Sequence, residues 1–236
     1  MESVVNKGPR LLLVHGSVVN GEVTWTAQRP LAERFDLVVP NRRGFPPGPE
    51  VERVDFEDEA VWLERFLEPG THVVGHSYGG VVALLAAARR PELVRSLTVI
   101  EPPAFALVRG HPAVEEFIAR FPAIGGDPET FLRAFLDVVG APQPPGRLTP
   151  ALLQGARALM VERPPWEAQI PLDRLAGIPL LGVSGGHSEA FDAVLDVLGG
   201  ERVVLPGAGH SPQRLGAPFN DRLAGFVMKQ TGGRPR

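Results

Sequence analysis

Ser77 is the residue in this chain best placed for chemistry. It stands in Gly75-His76-Ser77-Tyr78-Gly79-Gly80, a G-x-S-x-G pattern entered from an apolar run over 71–74 and left through a small-residue segment over 81–90. Strand, tight turn and helix form the context in which such a serine is held on a strained bend with its hydroxyl exposed. Glycines at 75 and 79 keep Cβ atoms away from the place where strand and helix nearly touch. The N–H of Tyr78 opens the helix, where backbone donors lack intrahelical partners and the dipole favours negative charge. That suits an oxyanion developing on an attacked carbonyl. A serine hydroxyl is a poor nucleophile at neutral pH, so a base must take its proton. His210, in Gly207-Ala208-Gly209-His210, is the candidate base. A carboxylate behind it would hold the other ring nitrogen and stabilise the imidazolium.

These residues lie far apart in sequence, so the fold must bring them together. Apolar runs at 10–14, 35–39, 71–74, 96–100, 178–183 and 202–205 read as strands. They carry little polar alternation, as expected for strands covered on both faces of a parallel sheet. Helical spacing fills the intervals at 24–33, 56–67, 81–90, 188–198 and 218–229. Trp25 and Leu31 face inward on the first of these helices, and Val61, Leu63, Phe66 and Leu67 on the second. In a parallel α/β sheet all strand C-termini share one edge, where ligands bind. His15-Gly16 follows the first strand, Ser77 the third and His210 the sixth, so all three can meet there. Between the fourth and fifth strands, 104–175 offers helical patterns at 112–120, 128–139 and 149–161 but no strand. It is too small for an independent core.

His15-Gly16, the glycine-flanked serine with its helix, and Gly207-Ala208-Gly209-His210 stand in the order found in the α/β-hydrolase family, which the chain resembles over nearly its whole length. The resemblance implies one α/β-hydrolase domain over 1–236, with a mostly parallel sheet of about six strands, flanking helices, and 104–175 as a small helical lid. It implies an oxyanion hole made by backbone N–H groups of Tyr78 and of Ser17 or Val18, with Ser17 preferred. It also exposes a departure. The usual aspartate after the fifth strand falls within Gly185-Gly186-His187-Ser188-Glu189, where Ser188 stands instead. Three carboxylates compete for the role. Glu101 directly follows the fourth strand, a position where some relatives carry the acid, and Pro102-Pro103 stiffens the backbone behind it. Glu189 starts a helix that would turn it away, and Asp192 lies a turn further in a solvated position. Glu101 is preferred; a dyad lacking a carboxylate is the remaining option. His15 and His76 read as structural, His72 and His111 as surface or lid residues. Asn41-Arg42-Arg43-Gly44 resembles a structural loop of the family.

The bulk numbers set further limits. The 236 residues carry a net charge of −3, with 44% hydrophobic and 22% charged residues. There is no basic excess for nucleic acid, and no apolar run approaches a membrane span. The first residues lack a basic start followed by an apolar signal region, so a cytoplasmic location is the default. The chain has no cysteine, which excludes disulfides and thiolate metal sites. No cofactor and no metal are expected. The apolar residues over 104–175 suggest a pocket favouring a small apolar ester or acyl group. Epoxide and haloalkane enzymes of this fold use an aspartate nucleophile, and epoxide opening also needs lid tyrosines, whereas Tyr78 is the only tyrosine here. Hydroxynitrile lyases recruit a lysine, but Lys7 and Lys229 are the only two, both near the termini. The expectation is a cofactor-independent serine hydrolase, a carboxylesterase working through an acyl-enzyme. A carbon–carbon bond hydrolase and a non-catalytic ligand-binding relative are the alternatives.

Overall fold

The apolar runs become six parallel strands in a computed structural model, which describes residues 8–232. They are β1 (Arg10–Val14), β2 (Asp36–Val38), β3 (Thr71–His76), β4 (Val94–Ile100), β5 (Leu180–Ser184) and β6 (Glu201–Val204), in spatial order β2-β1-β3-β4-β5-β6. Every neighbouring pair is parallel. The strand order reverses beside β1 and β3, and a crevice opens at such a switch point outside the strand carboxyl ends. The segments after β1 and β3 therefore meet there.

Residues alternate between the two faces of the sheet. Leu12, Val14, Val73, Leu97 and Val99 belong to one buried cluster, and Leu11, Leu13, Val74, Ile100 and Val183 to the other. The first face is covered by α2 (Phe56–Leu63), α3 (Tyr78–Arg89) and α8 (Glu189–Leu198). The second is covered by the segment around α1 (Gly21–Thr24) and by α9 (Ala217–Thr231), which buries Phe219, Leu223, Phe226 and Val227. Each fully buried side chain of this size contributes about 1.5–3 kcal/mol, so both layers hold the sheet firmly.

Between β4 and β5 the chain forms α4 (Pro112–Arg120), α5 (Pro128–Val138), α6 (Pro150–Met160) and the short α7 (Leu172–Leu175). The first three begin with proline, whose missing N–H costs nothing at that position. The carboxylate of Asp127 accepts from Thr130 N–H, and the hydroxyl of Thr149 from Leu152 N–H. Phe121 packs edge-on against Phe131, Phe135 and Trp166, so the insertion is held by aromatic contacts.

Local departures from the sequence reading have plain causes. Residues Thr26–Glu33 form a 3₁₀ helix and not an α-helix; Pro30 lies inside it, and in an α-helix its ring would clash with the carbonyl of Thr26. The next helix tightens to 3₁₀ at Glu64–Phe66, and Val61 is 50% exposed, off the apolar face. His72 is buried, not a surface residue: its Nδ1 meets Ser96 Oγ at 2.7 Å. Asp192 is not simply solvated but ion-paired with Arg202 at 2.6 Å. The expected frayed tail, 231–236, lies mostly outside the described residues. Among those residues no helix is long and apolar enough to cross a membrane.

Candidate active site

Ser77 sits between β3 and α3 with φ 53° and ψ −126°, a conformation that costs a non-glycine residue energy. The bend is so tight that a Cβ on Gly79 would lie 2.2 Å from His15 O, and one on Gly75 would lie 2.5 Å from Gly79 O. Glycine at these positions is a steric requirement. Among the described residues, three non-glycine residues have positive φ: Val18, Ser77 and Glu101. Val18 and Ser77 line one opening, and Glu101 lies behind His210, which lines it too. Strain of this kind persists only where the surroundings enforce it, and it concentrates at functional sites.

The side chains form a relay. Ser77 Oγ lies 2.9 Å from His210 Nε2. On the far side of the ring, His210 Nδ1 lies 3.3 Å from Glu101 Oε2. The other oxygen, Oε1, accepts from Gly185 N–H at 2.7 Å. Ser77, His210 and Glu101 are all buried. Burial pushes the Glu101 carboxyl up to about 7 and holds the His210 imidazole down to about 3. The histidine is thus neutral at rest, with Nε2 free to accept the serine proton. The other two candidate acids are elsewhere. Glu189 is exposed on the first turn of α8, and Asp192 is engaged by Arg202. Glu101 is the carboxylate brought to the histidine.

The neighbouring histidines serve the loops. His15 Nδ1–H donates to Gly16 O at 2.8 Å, and Nε2 accepts from Arg42 N–H at 2.8 Å. His76 Nε2–H donates to His210 O at 2.8 Å, fixing the backbone that carries the candidate base. Both rings are kept neutral by burial, with pKa values lowered to about 3. Trp25 belongs to the core on the second face and not to the crevice.

Close to Ser77, the N–H groups of Ser17, Val18 and Tyr78 have no hydrogen-bond acceptor among the described residues. Val19 N–H bonds to Ser17 O at 3.0 Å around Val18 at φ 75°, a tight and strained γ-turn. Helix α6 presses on this turn at Gly155, where a Cβ would lie 1.8 Å from Val18 O. The insertion and the loop after β1 are therefore in direct backbone contact.

One feature was hidden from the sequence: a buried charge network behind the loop. Arg42 is 1% exposed. Its guanidinium donates to Glu59 Oε2 at 2.8 Å, to Glu162 Oε1 at 2.8 Å and to Gly16 O at 3.0 Å. It also lies 4.3 Å from the Tyr78 ring centroid. Glu162 comes from the end of the insertion, and its Oε2 accepts from Ser17 Oγ at 2.5 Å. An arginine followed by a second arginine in a loop carries no sign of which one turns inward. Only the three-dimensional convergence of Glu59 and Glu162 shows it.

Two openings adjoin Ser77 and His210. One is lined by Phe117, Phe121, Phe135, Leu159, Trp166 and Phe191, and beyond Ser77, Tyr78 and His210 is apolar apart from Ser17 and Glu162. The other is more polar and includes Gln143, Ser211 and Arg214. A serine, a neutral histidine, a buried carboxylate and unpaired N–H donors beside an apolar pocket can perform nucleophilic attack on a carbonyl and hold the resulting oxyanion.

Comparison with known proteins agrees with this architecture. A family model described as the alpha/beta hydrolase family matches residues 11–222. A pimeloyl-acyl-carrier-protein methyl ester esterase of Methylococcus capsulatus is 31% identical over 204 residues, covering 85% of this chain and 79% of that protein. A 2-(acetamidomethylene)succinate hydrolase of Mesorhizobium japonicum is 34% identical over 99 residues, covering 40% of this chain but only 36% of that protein. The solved structure of the N-acyl homoserine lactonase AidH with N-butanoyl homoserine superposes with a TM-score of 0.70 at 19% identity, covering 98% of this chain and 93% of that one. That last likeness concerns the fold alone. With the matching model spanning nearly the whole chain and the glycine-flanked serine at its switch point, the protein belongs to the alpha/beta hydrolase family.

Proposed function

We propose that the protein is a cofactor-independent serine hydrolase, a carboxylesterase acting on small apolar esters. One observation carries the reading: Ser77 Oγ lies 2.9 Å from His210 Nε2 on a backbone held at φ 53°. Ser77 attacks the ester carbonyl carbon, and His210 takes the serine proton. The carbonyl oxygen becomes an oxyanion held by the N–H groups of Tyr78 and Ser17. The imidazolium passes its proton to the leaving alkoxide as the carbon–oxygen bond breaks, leaving an acyl-enzyme. Water, deprotonated by His210, attacks that acyl group, and collapse releases the acid and restores Ser77. Glu101 orients His210 and stabilises the imidazolium. The aromatic pocket takes the acyl chain, and 104–175 acts as the lid that shapes it. The relative from Methylococcus capsulatus, an esterase by name, supports ester hydrolysis as the reaction.

The test has two arms. A fluorophosphonate probe should label one residue per chain, located at Ser77 by peptide mass spectrometry. A panel of esters with graded acyl length should then be turned over, with preference for apolar acyl groups. No labelling would favour a non-catalytic binding protein. Labelling without turnover of any ester would favour carbon–carbon bond cleavage.

The contact of α6 with the oxyanion loop gives a further prediction. In an exposed helix, glycine to alanine is worth about 1 kcal/mol of stability. Here Gly155→Ala places a Cβ 1.8 Å from Val18 O and displaces the turn carrying the Ser17 N–H. The expected result is a fall in kcat of about 100-fold, the scale of losing one oxyanion donor. Steady-state kinetics checks this; unchanged kcat would remove Ser17 and Val18 from the oxyanion hole.

A further inference from the structure

Glu101 faces two histidines. Its Oε2 meets His210 Nδ1 at 3.3 Å, and its Oε1 lies 3.6 Å from His187 Nδ1. One ligand atom from each of the three residues lies within 4.8 Å of the others. The reaction described above makes no use of His187. Its Nε2 lies 3.1 Å from Val139 O, which can only accept, so this nitrogen carries a proton and donates it. In the neutral ring, Nδ1 is then a lone pair 3.6 Å from a Glu101 oxygen. When Glu101 is ionised, two lone pairs so placed repel, and a positive charge between them would be stabilised.

A proton on His187 would answer that need, and so would a metal cation. The donor set favours the metal on three counts. Two imidazoles and a carboxylate form a common ligand set for zinc. With bonds of about 2.0–2.1 Å, a tetrahedral zinc site has ligand-to-ligand edges of about 3.3 Å; the two histidines reach different oxygens of Glu101, at 3.3 and 3.6 Å, and one atom from each residue lies within 4.8 Å of the others, so a small closure of the cluster would form the site. A metal-binding histidine usually donates its remaining N–H to a carbonyl or carboxylate, which fixes its orientation, and His187 already does so through Val139. The His187 side chain is 23% exposed, so solvent reaches the cluster, while Glu101 and His210 are buried.

We propose that Glu101, His187 and His210 form an inhibitory site for a borderline-soft divalent cation such as zinc. Binding takes the lone pair of His210 Nδ1. The proton resting on Nδ1 must leave that atom, and a proton is held at Nε2 instead, so the ring stays neutral. Nε2 then donates to Ser77 Oγ and cannot accept the serine proton. Glu101 binds as the carboxylate, releasing to solvent any proton it carried. The hard cations magnesium and calcium prefer oxygen ligands and gain little from two imidazoles. This departs from the sequence expectation of no metal. The inhibition rests on the serine-hydrolase reading; the binding does not.

The experiment uses chelator-treated full-length protein at neutral pH. Zinc chloride is titrated by calorimetry and, in parallel, against ester turnover, with magnesium chloride as a control. One zinc per chain should bind, turnover should fall over the same concentrations, and EDTA should restore it. Magnesium should do neither. His187→Asn should weaken zinc binding and inhibition by more than about 100-fold, beyond the usual loss from removing an outer partner of a ligand, and keep turnover in chelator. His111→Ala, altering an exposed residue at the start of α4, should leave zinc binding as in the wild type. Absence of zinc binding, or a His187→Asn variant that binds zinc as tightly as the wild type, overturns the site. Binding that depends on His187 but leaves turnover intact overturns the inhibition. If no ester is hydrolysed at all, calorimetry still decides the binding, so the two readings fail separately.

Discussion

Replacing Ser77 or His210 by alanine should lower kcat on ester substrates by about 10⁶-fold, and the double variant should be little worse than either single one. The two act as a unit, because a nucleophile without its base and a base without its nucleophile do the same nothing. Folding should survive, since both are small changes at a crevice and neither is a large core residue. Glu101→Gln should cost about 10⁴-fold. Glutamine keeps the size but cannot stabilise the imidazolium. The pH profile separates this role from a merely structural one. Burial raises the Glu101 carboxyl to about 7 and lowers His210 to about 3. Activity requires the carboxylate and the neutral imidazole together. The histidine requirement is met well below neutrality, so the acid limb follows the carboxyl. Wild-type kcat/KM should rise with pH through an apparent pKa near 7, belonging to the coupled pair. In Glu101→Gln that limb should vanish. A near-wild-type Glu101→Gln variant that stays folded would remove Glu101 from the relay.

How much of this was visible in the sequence depends on whether a residue's partners are local. The serine bend was legible because its requirements lie within six consecutive residues: a strand before, a helix after and glycines where backbones nearly touch. His210 was legible because a glycine-rich loop after a strand places it on the same sheet edge. Glu101 was only the favoured acid of three, since the side-chain direction depends on a backbone at φ 48° that no sequence pattern announces. The helices over 112–161 were readable from their proline starts and apolar spacing. Their docking was not, because it depends on Gly155 meeting the carbonyl of Val18, residues joined by no local signal. His72 was misread because a polar residue in an apolar run looks exposed until Ser96 is seen beside it on β4. Arg42, Glu59 and Glu162 were missed for the same reason, as their partners come from three distant parts of the chain.

Arg42 should therefore give the largest effect on stability. Arg42→Met keeps much of the side-chain volume but removes the charge between Glu59 and Glu162. Breaking a buried ion pair by removing one partner costs about 3–5 kcal/mol, because the other partner is left uncompensated. Two carboxylates are left here, which places the expected loss at the upper end of that range. The pH dependence fixes the cause. Burial already raises Glu162 to about 7 and raises Glu59, against the pull of Arg42. Without the arginine both carboxyls rise further. A carboxyl raised on folding favours the folded state while protonated and loses that contribution as pH climbs through its folded value. The deficit of Arg42→Met should thus be smallest near pH 5 and largest above about pH 7, measured by urea denaturation across that range. A pH-independent deficit would point to lost packing against the Tyr78 and Phe45 rings instead. The same substitution leaves Gly16 O with only its bond from His15 Nδ1–H and leaves Glu162 to hold Ser17 alone. Activity per folded molecule should fall as well, by about 10–100-fold, less than the loss from removing an oxyanion donor outright. Stability and turnover are joined in this one side chain because the network that closes the insertion onto the sheet also holds the loop after β1.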